Sequence, residues 1–310
     1  MRYYFAPLEG LTDAPFRQIH HKYFSEGIDR YYTPFFSPTI HRTLTPREAR
    51  ELPKADSFKA TVIPQILTKV SEDFLWMAQQ CMDLGYTEVN LNLGCPSGTV
   101  TAKSKGSGML RDLTVLEEFL DDIFAASPLP ISVKTRIGFY DSEEFPRLLE
   151  LYNRYHIKEL TIHPRIRTAF YKGNVDMAMF RLAMAESKNP VCYNGDITDI
   201  SKIHALQAEF PQLEAVMIGR GLIGDPGMLT PGGTDRKTLA AYTEELLETY
   251  FVLFGGSRNA MFRMKEHWGM LVHKFENNEK LAKALRKTTD ISEFRSITAQ
   301  ILQTLPMKGE

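Results

Sequence analysis

Polar side chains recur at every second residue inside three segments that otherwise have the composition of buried strands. Side chains alternate between the two faces of a strand, so each polar series shares one face. The series are Asn90 and Asn92; Ser132, Lys134 and Arg136; and Thr161 and His163. A lysine inside a strand is rarely buried without an acceptor, and Lys134 therefore indicates an anionic or electron-rich ligand. Asn90 alone is better explained as hydrogen-bonded filler.

A loop with a single thiol follows the first of these segments. Its sequence, Asn92-Leu93-Gly94-Cys95-Pro96-Ser97, places Cys95 between a glycine and a proline. The reference pKa of a cysteine thiol is about 8.5, so such a group is mostly protonated at neutral pH and can donate a proton. We interpret Cys95 as a candidate proton donor, and Cys81 and Cys192 as small buried hydrophobes.

Two glycine-containing loops have the composition of a phosphate site. Asn194-Gly195-Asp196-Ile197 and Gly219-Arg220-Gly221 each follow a short β-type segment. Glycines let backbone N–H groups approach an anion closely, and a helix that begins there favours negative charge. Each glycine pair alone is equally typical of a tight turn, whereas the two loops together indicate phosphate binding.

The elements that must position these residues alternate regularly along the chain. Eight β-type segments are spaced by stretches of helical periodicity. The predicted strands are Tyr3–Ala6, Tyr31–Thr33, Thr61–Leu67, Glu88–Leu93, Ile131–Arg136, Glu159–His163, Val191–Asn194 and Ala215–Gly219. Such alternation favours a parallel sheet with right-handed crossovers, and eight strands close a parallel barrel. We therefore expect an α/β fold, a (β/α)8 TIM barrel, with the polar series at the carboxyl ends of its strands.

Helical spacing is clearest in a few of the intervening stretches. These are Leu113–Ala126, Glu143–Tyr155, Ile200–Phe210 and a helix that Ser71 would cap, with Gly85 as its left-handed C-terminal residue. After Gly221 glycines and prolines crowd a loop, and four helical segments without a strand follow. These segments are Leu239–Phe254, Arg258–Phe275, Glu279–Leu285 and Phe294–Leu305. We place a boundary near residue 235, with the barrel in residues 1–235 and a small all-helical domain in residues 236–310.

Composition excludes several classes of protein. With 43% hydrophobic and 24% charged residues the chain of 310 residues is globular rather than disordered. The net charge of −1 gives no sign of a nucleic-acid partner, although residues 256–310 hold ten basic and six acidic residues. The three cysteines form no CxxC pair, so we expect no metal site and a reducing, cytoplasmic setting. No 18-residue apolar run or apolar leader is present, so we expect no membrane association. The oligomeric state is open, with a monomer as the default.

Eight short motifs occur along the barrel in a fixed order. They are Ala6-Pro7-Leu8-Glu9-Gly10-Leu11-Thr12-Asp13, Gln65, Asn92-Leu93-Gly94-Cys95-Pro96, Lys134-Thr135-Arg136, His163-Pro164-Arg165, Tyr171-Lys172-Gly173, Asn194-Gly195-Asp196 and Gly219-Arg220-Gly221. In this order they resemble the motifs of the tRNA-dihydrouridine synthases, across roughly residues 3 to 222. Pro164 stands where the family usually has glycine, and so does Tyr193; neither change removes a residue that the chemistry requires.

The resemblance implies an FMN cofactor, with NADPH or NADH as reductant. Lys134 would donate to the N1/O2 edge of the flavin ring. The other implied contacts are Ala6, Pro7, Leu8, Gln65 and His163 to the cofactor, and Asn194, Gly195, Asp196, Gly219 and Arg220 to its phosphate. Hydride would pass to C6 of uridine and Cys95 would protonate C5. Asn92 and Arg165, and less directly Arg136, would orient the uracil.

The resemblance also makes tRNA the substrate and the helical tail an RNA-recognition domain. Its most basic stretch contains Arg258, Arg263, Lys265 and His267, whereas Met261, Met264, Trp268 and Leu271 would form a helix core. Lys103, with Lys105, lies in the loop beyond Cys95 and could reach a phosphate or only water. The position of the modified uridine is not predicted.

Two alternatives remain open from the sequence. The first is an FMN barrel that acts on a free pyrimidine, as dihydroorotate-dehydrogenase-like enzymes do, for which a basic helical tail would be unnecessary. The second is an RNA-binding protein that retains flavin but has lost catalysis, although Cys95, Asn92 and Lys134 are all intact.

Overall fold

The structure, a computed structural model, describes residues 1–39 and 41–309. Its centre is a closed barrel of eight strands in which each strand pairs in parallel with the next along the chain. The strands are β1 (Arg2–Phe5), β2 (Arg30–Phe36), β3 (Thr61–Ile66), β4 (Val89–Leu93), β5 (Ile131–Arg136), β6 (Leu160–His163), β7 (Val191–Asn194) and β8 (Ala215–Ile218). The predicted barrel and all eight predicted strands are confirmed.

The register of the sheet places the polar residues of neighbouring strands opposite one another. Asn92 of β4 lies opposite Lys134 of β5, and Lys134 lies opposite Thr161 of β6. One step further along, Arg136 lies opposite His163. The prediction that these side chains meet at the carboxyl ends of neighbouring strands is therefore confirmed.

Strand β2 is longer than predicted. The predicted strand ends at Thr33, and the next residue, Pro34, has no N–H for the ladder. In the structure the pairing with β3 shifts register between Tyr32 and Phe35, and the strand continues to Phe36. The irregularity accommodates the proline.

Nine helices follow or precede the strands among the described residues. They are α1 (Ala14–Phe24), α2 (Pro46–Glu51), α3 (Ser71–Asp83), α4 (Gly98–Thr101), α5 (Leu113–Ala126), α6 (Phe145–Tyr152), α7 (Met177–Glu186), α8 (Ile200–Glu209) and α9 (Arg220–Gly224). Gly85 has a φ of +89°, as its predicted role requires. The predicted cap is wrong: Val70 precedes the first turn of α3, and the Ser71 hydroxyl donates to Asp122 at 2.8 Å.

The predicted helical tail is also confirmed. It consists of α10 (Arg236–Phe254), α11 (Ser257–Leu271), α12 (Glu279–Lys287) and α13 (Ile291–Thr304). The Asp235 side chain caps α10 by accepting from the Thr238 N–H at 2.9 Å, and Gly255, with a φ of +64°, ends it. Met261, Met264, Trp268 and Leu271 form the buried face of α11, as predicted.

The described chain forms two compact units. The first contains Met1–Pro7, Asp29–Asp196 and Ala205–Met217, and its barrel interior is filled by side chains that include Tyr4, Tyr32, Ile63 and Met217. The second contains Leu8–Ile28, Ile197–His204 and Ile218–Glu310, and in it α1 packs on α10 and α9 on α11. The division of function at residue 235 stays a prediction. In the part of the chain that the structure describes, no helix is long and apolar enough to cross a membrane.

Candidate active site

A buried amide network lies across β3, β4 and β5 in the first unit. The Gln65 Nε2 donates to Asn90 Oδ1 at 2.8 Å, and Asn90 Nδ2 donates to Ser132 Oγ at 3.0 Å. Asn92 Nδ2 donates to Gln65 Oε1 at 2.7 Å. The structure thus confirms Asn90 as hydrogen-bonded filler, whereas Asn92 keeps one N–H beyond these bonds.

The loop that carries Cys95 is fixed from two sides. Asn92 Oδ1 accepts from the backbone N–H groups of Gly94 at 3.1 Å and Cys95 at 2.9 Å. On the other side, the hydroxyl of the buried Ser107 donates to the Cys95 carbonyl at 2.7 Å. Gly106 has a φ of +58°, and a Cβ there would lie 3.1 Å from the Cβ of Cys95. Sequence reasoning missed Ser107, because a serine twelve residues from the thiol carries no local signal of this contact.

Lys134 presents its ammonium group at the carboxyl end of the barrel. Among the described residues, no acceptor is hydrogen-bonded to it and no carboxylate is paired with it. Burial, reinforced by the charge of Arg136, lowers the pKa of Lys134 to about 8. An ammonium group left without a protein acceptor is suited to an electron-rich or anionic ligand. The donor set therefore fits the edge of a flavin ring.

Arg136 donates hydrogen bonds to the backbone of two neighbouring loops. Its Nε donates to the Gly94 carbonyl at 2.9 Å and its Nη1 to the Ile166 carbonyl at 3.0 Å. The guanidinium lies 5.4 Å from the centroid of the Tyr171 ring, and burial lowers the pKa of Arg136 to about 10. Arg136 thus joins the loops after β4 and β6, and its predicted contact with uracil remains untested.

Arg165 connects the loops after β6 and β7. Its guanidinium pairs with both carboxylate oxygens of Asp196 and donates to the Gly173 carbonyl at 2.5 Å. Arg165 Nη1 also lies 3.1 Å from His163 Nε2. Because a guanidinium only donates, His163 Nε2 is the acceptor and the neutral ring carries its hydrogen on Nδ1. Four contacts with the protein give Arg165 a positioning role, and its predicted contact with uracil remains untested.

The predicted phosphate loop of the first unit is closely packed. Asn194 Nδ2 donates to the Met217 carbonyl at 2.7 Å, and Asp196 has a φ of +45°. A Cβ at Gly195 would lie 2.9 Å from Val175 Cγ1, so glycine is needed there. In the same unit Ala6 and Pro7 directly follow β1, and Ala6 is buried.

The second unit holds the other residues predicted to bind the cofactor. A Cβ at Gly221 would lie 2.1 Å from the Ile197 carbonyl oxygen, so this turn also requires glycine. Gly219 and Arg220 stand at the start of α9. The Leu8 N–H donates to Thr12 Oγ1 at 2.9 Å.

The basic residues of α11 differ in their surroundings. The exposed Arg258 lies 5.8 Å and Lys265 5.3 Å from the centroid of Phe262, which is 40% exposed. Lys265 Nζ also donates to the Thr288 carbonyl at 2.7 Å, and Arg263 pairs with Glu266 at 3.4 Å. The arrangement exposes an aromatic ring between two cations.

The interpretation of His267 as part of the basic stretch is wrong. Its side chain is buried, with its ring stacked on Phe16 at a centroid distance of 5.0 Å. Burial lowers the pKa of His267 to about 3, so the ring is neutral at physiological pH. Its position in the sequence beside arginine and lysine does not reveal that it belongs to the core face of α11.

Together these residues can hold an electron-rich ring against an ammonium group and present a thiol from a fixed loop. The Cys95 loop, Lys134 and the amide network all belong to neighbouring strands of the first unit. Such an arrangement suits a reaction in which a hydride and a proton add to one double bond.

Comparison with solved structures supports the fold. Morphinone reductase in complex with tetrahydroNAD aligns with a TM-score of 0.50 and 12% identity, over 76% of this chain and 89% of that one. A variant of NCR from Zymomonas mobilis aligns with a TM-score of 0.51 and 12% identity, over 78% and 87%. At this identity the likeness concerns the fold alone.

Comparison of sequences is more specific. A probable tRNA-dihydrouridine synthase from Rickettsia bellii is 30% identical over 73% of this chain and 68% of its own length. Probable tRNA-dihydrouridine synthase 1 from Synechocystis is 26% identical over 96% of this chain and 86% of its own. The sequence pattern of the dihydrouridine synthase (Dus) family matches residues 4–304. Because that match covers nearly the whole chain, this protein belongs to the dihydrouridine synthase family.

Proposed function

We propose that this chain reduces the C5=C6 bond of uridine in tRNA to dihydrouridine, with bound FMN and with NADPH as the reductant. Membership of the family and relatives named tRNA-dihydrouridine synthase support the reaction and the substrate. The observation that carries the proposal is the ammonium group of Lys134, which lacks a protein acceptor, on the strand next to the one that leads to Cys95.

Lys134 would hold the N1/O2 edge of the flavin ring, and Gln65 and His163 would contact the same ring. A charged ammonium group at that edge favours negative charge on the ring. The Nδ1–H tautomer of His163 makes this side chain a donor as well. Ala6, Pro7 and Leu8 would complete the contacts with the cofactor, and Asn194, Gly195, Asp196, Gly219 and Arg220 would bind its phosphate.

The chemistry requires one hydride and one proton. Held by these residues, FMN would supply the hydride for C6 of the uracil after reduction by a nicotinamide nucleotide. The Cys95 thiol gives its proton to C5, and the resulting thiolate is reprotonated from water. Asn92 aligns the thiol through the backbone of its loop, and its remaining N–H would donate to the uracil ring. Arg136 and Arg165 would set the walls of the uracil pocket.

A uridine inside a folded tRNA must be unstacked before it can reach such a pocket. The helical domain of residues 236–310 would hold the tRNA while this happens. Arg258, Arg263 and Lys265 of α11 would supply positive charge, and Lys103 would act close to the thiol. We propose a cytoplasmic setting for the reaction, because a thiol that acts as proton donor must stay reduced.

The test separates the two half-reactions in Cys95→Ala. Flavin reduction by NADPH should stay within about twofold of the wild type, whereas turnover of uridine in tRNA should fall by at least about 100-fold, the contribution of a general acid. Cys81→Ala is the control, because Cys81 is buried in α3 and should affect neither half-reaction.

Three other outcomes would contradict the proposal. Unchanged tRNA modification in Cys95→Ala would exclude the thiol as proton donor. A colourless purified protein that does not bind added FMN would leave the reaction without a hydride source. Turnover of free uracil or orotate in place of tRNA would favour the free-pyrimidine alternative.

A further inference from the structure

A half-buried lysine lies in the loop directly beyond the Cys95 turn. Lys105 Nζ donates to the hydroxyl of Ser37 at 2.9 Å. Burial lowers the pKa of Lys105, and the charges of Lys103 and Lys69 lower it further. The ammonium groups of Lys69 and Lys103 are therefore both near that of Lys105, and we call the three the lysine cluster (Lys69, Lys103 and Lys105).

The cluster lies at the carboxyl ends of three neighbouring strands. Ser37 directly follows β2, Lys69 comes three residues after β3, and Lys105 belongs to the loop after β4. These strand ends form the same face of the barrel as the candidate active site. Through its bond to Ser37, Lys105 reaches from the loop after β4 to the carboxyl end of β2.

Positive charge is in excess at this place. Asp73 is the carboxylate that favours the charged form of Lys105, and it also accepts a hydrogen bond from Arg42 Nε at 3.2 Å. Asp73 is therefore shared by the half-buried Lys105 and by Arg42, while Lys69 and Lys103 add two exposed positive charges near Lys105. Bringing like charges together without an anion is unfavourable, so the arrangement is suited to an anionic ligand.

The backbone places the cluster next to the thiol. Ser104 and Gly106, on either side of Lys105, both have positive φ, at 53° and 58°. Gly106 packs on the Cβ of Cys95, and the Lys105 N–H donates to the Val100 carbonyl at 3.2 Å. The same turn therefore both supports the thiol loop and displays Lys103 and Lys105.

We propose that Lys69, Lys103 and Lys105 bind backbone phosphates of the RNA strand that flanks the target uridine. The inference rests on the proposed function. An unstacked nucleotide needs its neighbouring phosphates held, and lysines bind phosphates as point charges without reading sequence. The phosphate of a nucleotide reductant has the same chemistry, but RNA is favoured because three lysines from the loops after two strands, beside the thiol loop, suit the several phosphates of a strand better than one phosphomonoester.

The experiment compares the double variant Lys103→Ala/Lys105→Ala, and Lys69→Ala alone, with the wild-type holoenzyme. The probe is an unmodified tRNA transcript, and the measurement is its Kd at several salt concentrations. We expect the double variant to bind about 5- to 30-fold more weakly at 0.1 M salt, and the slope of log Kd against log salt to fall by about 0.7–0.9 per lost phosphate contact. The rate of flavin reduction and its KM for NADPH should not change.

Lys59→Ala and Lys188→Ala are the matched controls. Both lysines are exposed in the first unit but precede β3 and β7, at the amino ends of the strands, and neither should alter the Kd. Lys105→Gln is a second variant. Its side chain can still donate to Ser37, so a loss of affinity in this variant is not explained by misfolding of the loop. It should also bind tRNA more weakly than the wild type, by the loss of one of the two phosphate contacts that the double variant lacks.

The outcomes separate the inference from the proposed function. If the wild type binds tRNA and the cluster variants bind it with the same Kd and salt slope, the inference is wrong. If only the KM for NADPH rises, the cluster binds the reductant and the inference is again wrong. If the wild type binds and modifies no tRNA, the proposed function itself has failed.

Discussion

At the scale of single residues, Lys134 has the most informative environment. Its pKa is lowered to about 8, so the ammonium form predominates below pH 8 and is lost above it. If this group binds the flavin edge as a donor, the affinity for FMN depends on its protonation.

We therefore expect the Kd of the apoprotein for FMN to be constant near pH 7 and to rise above pH 8. The rise approaches about tenfold per pH unit where the neutral amine predominates. Fluorescence quenching of FMN between pH 7 and 9.5 measures it, since the phosphate group of FMN titrates below this range, near pH ~6.

Lys134→Met should bind FMN weakly and without this dependence on pH. A wild type whose Kd stays constant to pH 9.5, or a Lys134→Met variant with the same rise, would show that another group is responsible. Lys59→Met, changed at the amino end of β3, is the control for loss of a lysine elsewhere in the same unit.

The sequence predicts which residues make up the site better than it predicts the hydrogen bonds and ion pairs between them. Lys134 stands out because a charged residue in a buried strand is unusual, and the period of two shows which side chains share its face. By contrast, the pairing of Arg165 with Asp196 joins residues 31 positions apart. Ser107, whose hydroxyl donates to the Cys95 carbonyl, is 12 positions from that residue. Such contacts depend on how loops fold over the barrel, and a single sequence does not encode them locally.

At the scale of elements, the strands were predictable because each is a short apolar run between helical stretches. The errors have local causes. The predicted second strand ended at Thr33, but a change of register lets β2 continue past Pro34 to Phe36. Ser71 has a residue type that favours the cap position, but its hydroxyl bonds to Asp122, which no local pattern reveals.

Helix α1 supplies a prediction at this scale. Its cap residue Asp13 accepts from the Phe16 N–H at 3.1 Å and from the buried Tyr250 hydroxyl of α10 at 2.8 Å. Asp13→Ala removes both bonds and leaves the buried hydroxyl with only the longer contact to His267 Nε2 at 3.5 Å. Loss of the cap costs about 1 kcal/mol and the poorer bonding of the hydroxyl about 1–3 kcal/mol of unfolding free energy.

Urea unfolding of two alanine variants checks this. Asp235→Ala removes a cap from α10 without a buried partner and should cost only about 1 kcal/mol. The loss in Asp13→Ala should exceed it by at least about 1 kcal/mol. Equal losses in the two variants would mean that the Tyr250 bond adds nothing to stability.

At the scale of the whole molecule, the net charge does not show that basic and acidic residues are unevenly distributed along the chain. Residues 256–310 carry the basic excess, yet part of it is occupied within the second unit. Arg295 pairs with Glu244 and Glu248, and Lys274 with Asp225 at 2.6 Å. The count of basic residues therefore overstates the charge available to RNA, and the composition alone could not tell which side chains remain for it.

Two buried histidines make the stability of the whole protein depend on pH. Burial lowers the pKa of both His20 and His267 to about 3, well below the reference value of 6.5. His20 Nε2 lies 3.1 Å from the Pro226 carbonyl, and His267 Nε2 lies 3.5 Å from the Tyr250 hydroxyl. Both rings are neutral in the folded state, whereas the unfolded chain binds two more protons once the pH falls below 6.5.

The stabilisation from these neutral rings is therefore complete above pH 6.5 and is lost as the pH falls from 6.5 towards 3. Each histidine contributes up to about 1.4 kcal/mol of lost unfolding free energy per pH unit. Burial raises the pKa of Asp13, which acts in the opposite sense, so variants rather than the wild-type curve isolate the effect.

Urea unfolding between pH 7.5 and 4.5 gives the dependence of the unfolding free energy on pH. For His267→Phe this free energy should fall less steeply with decreasing pH than for the wild type, by the contribution of one histidine, whatever the stability of the variant at pH 7.5. His204→Gln, changed at an exposed ring, should keep the wild-type slope. A His267→Phe slope equal to that of the wild type would mean that this ring is already protonated in the folded protein, or that it is neutral in both states.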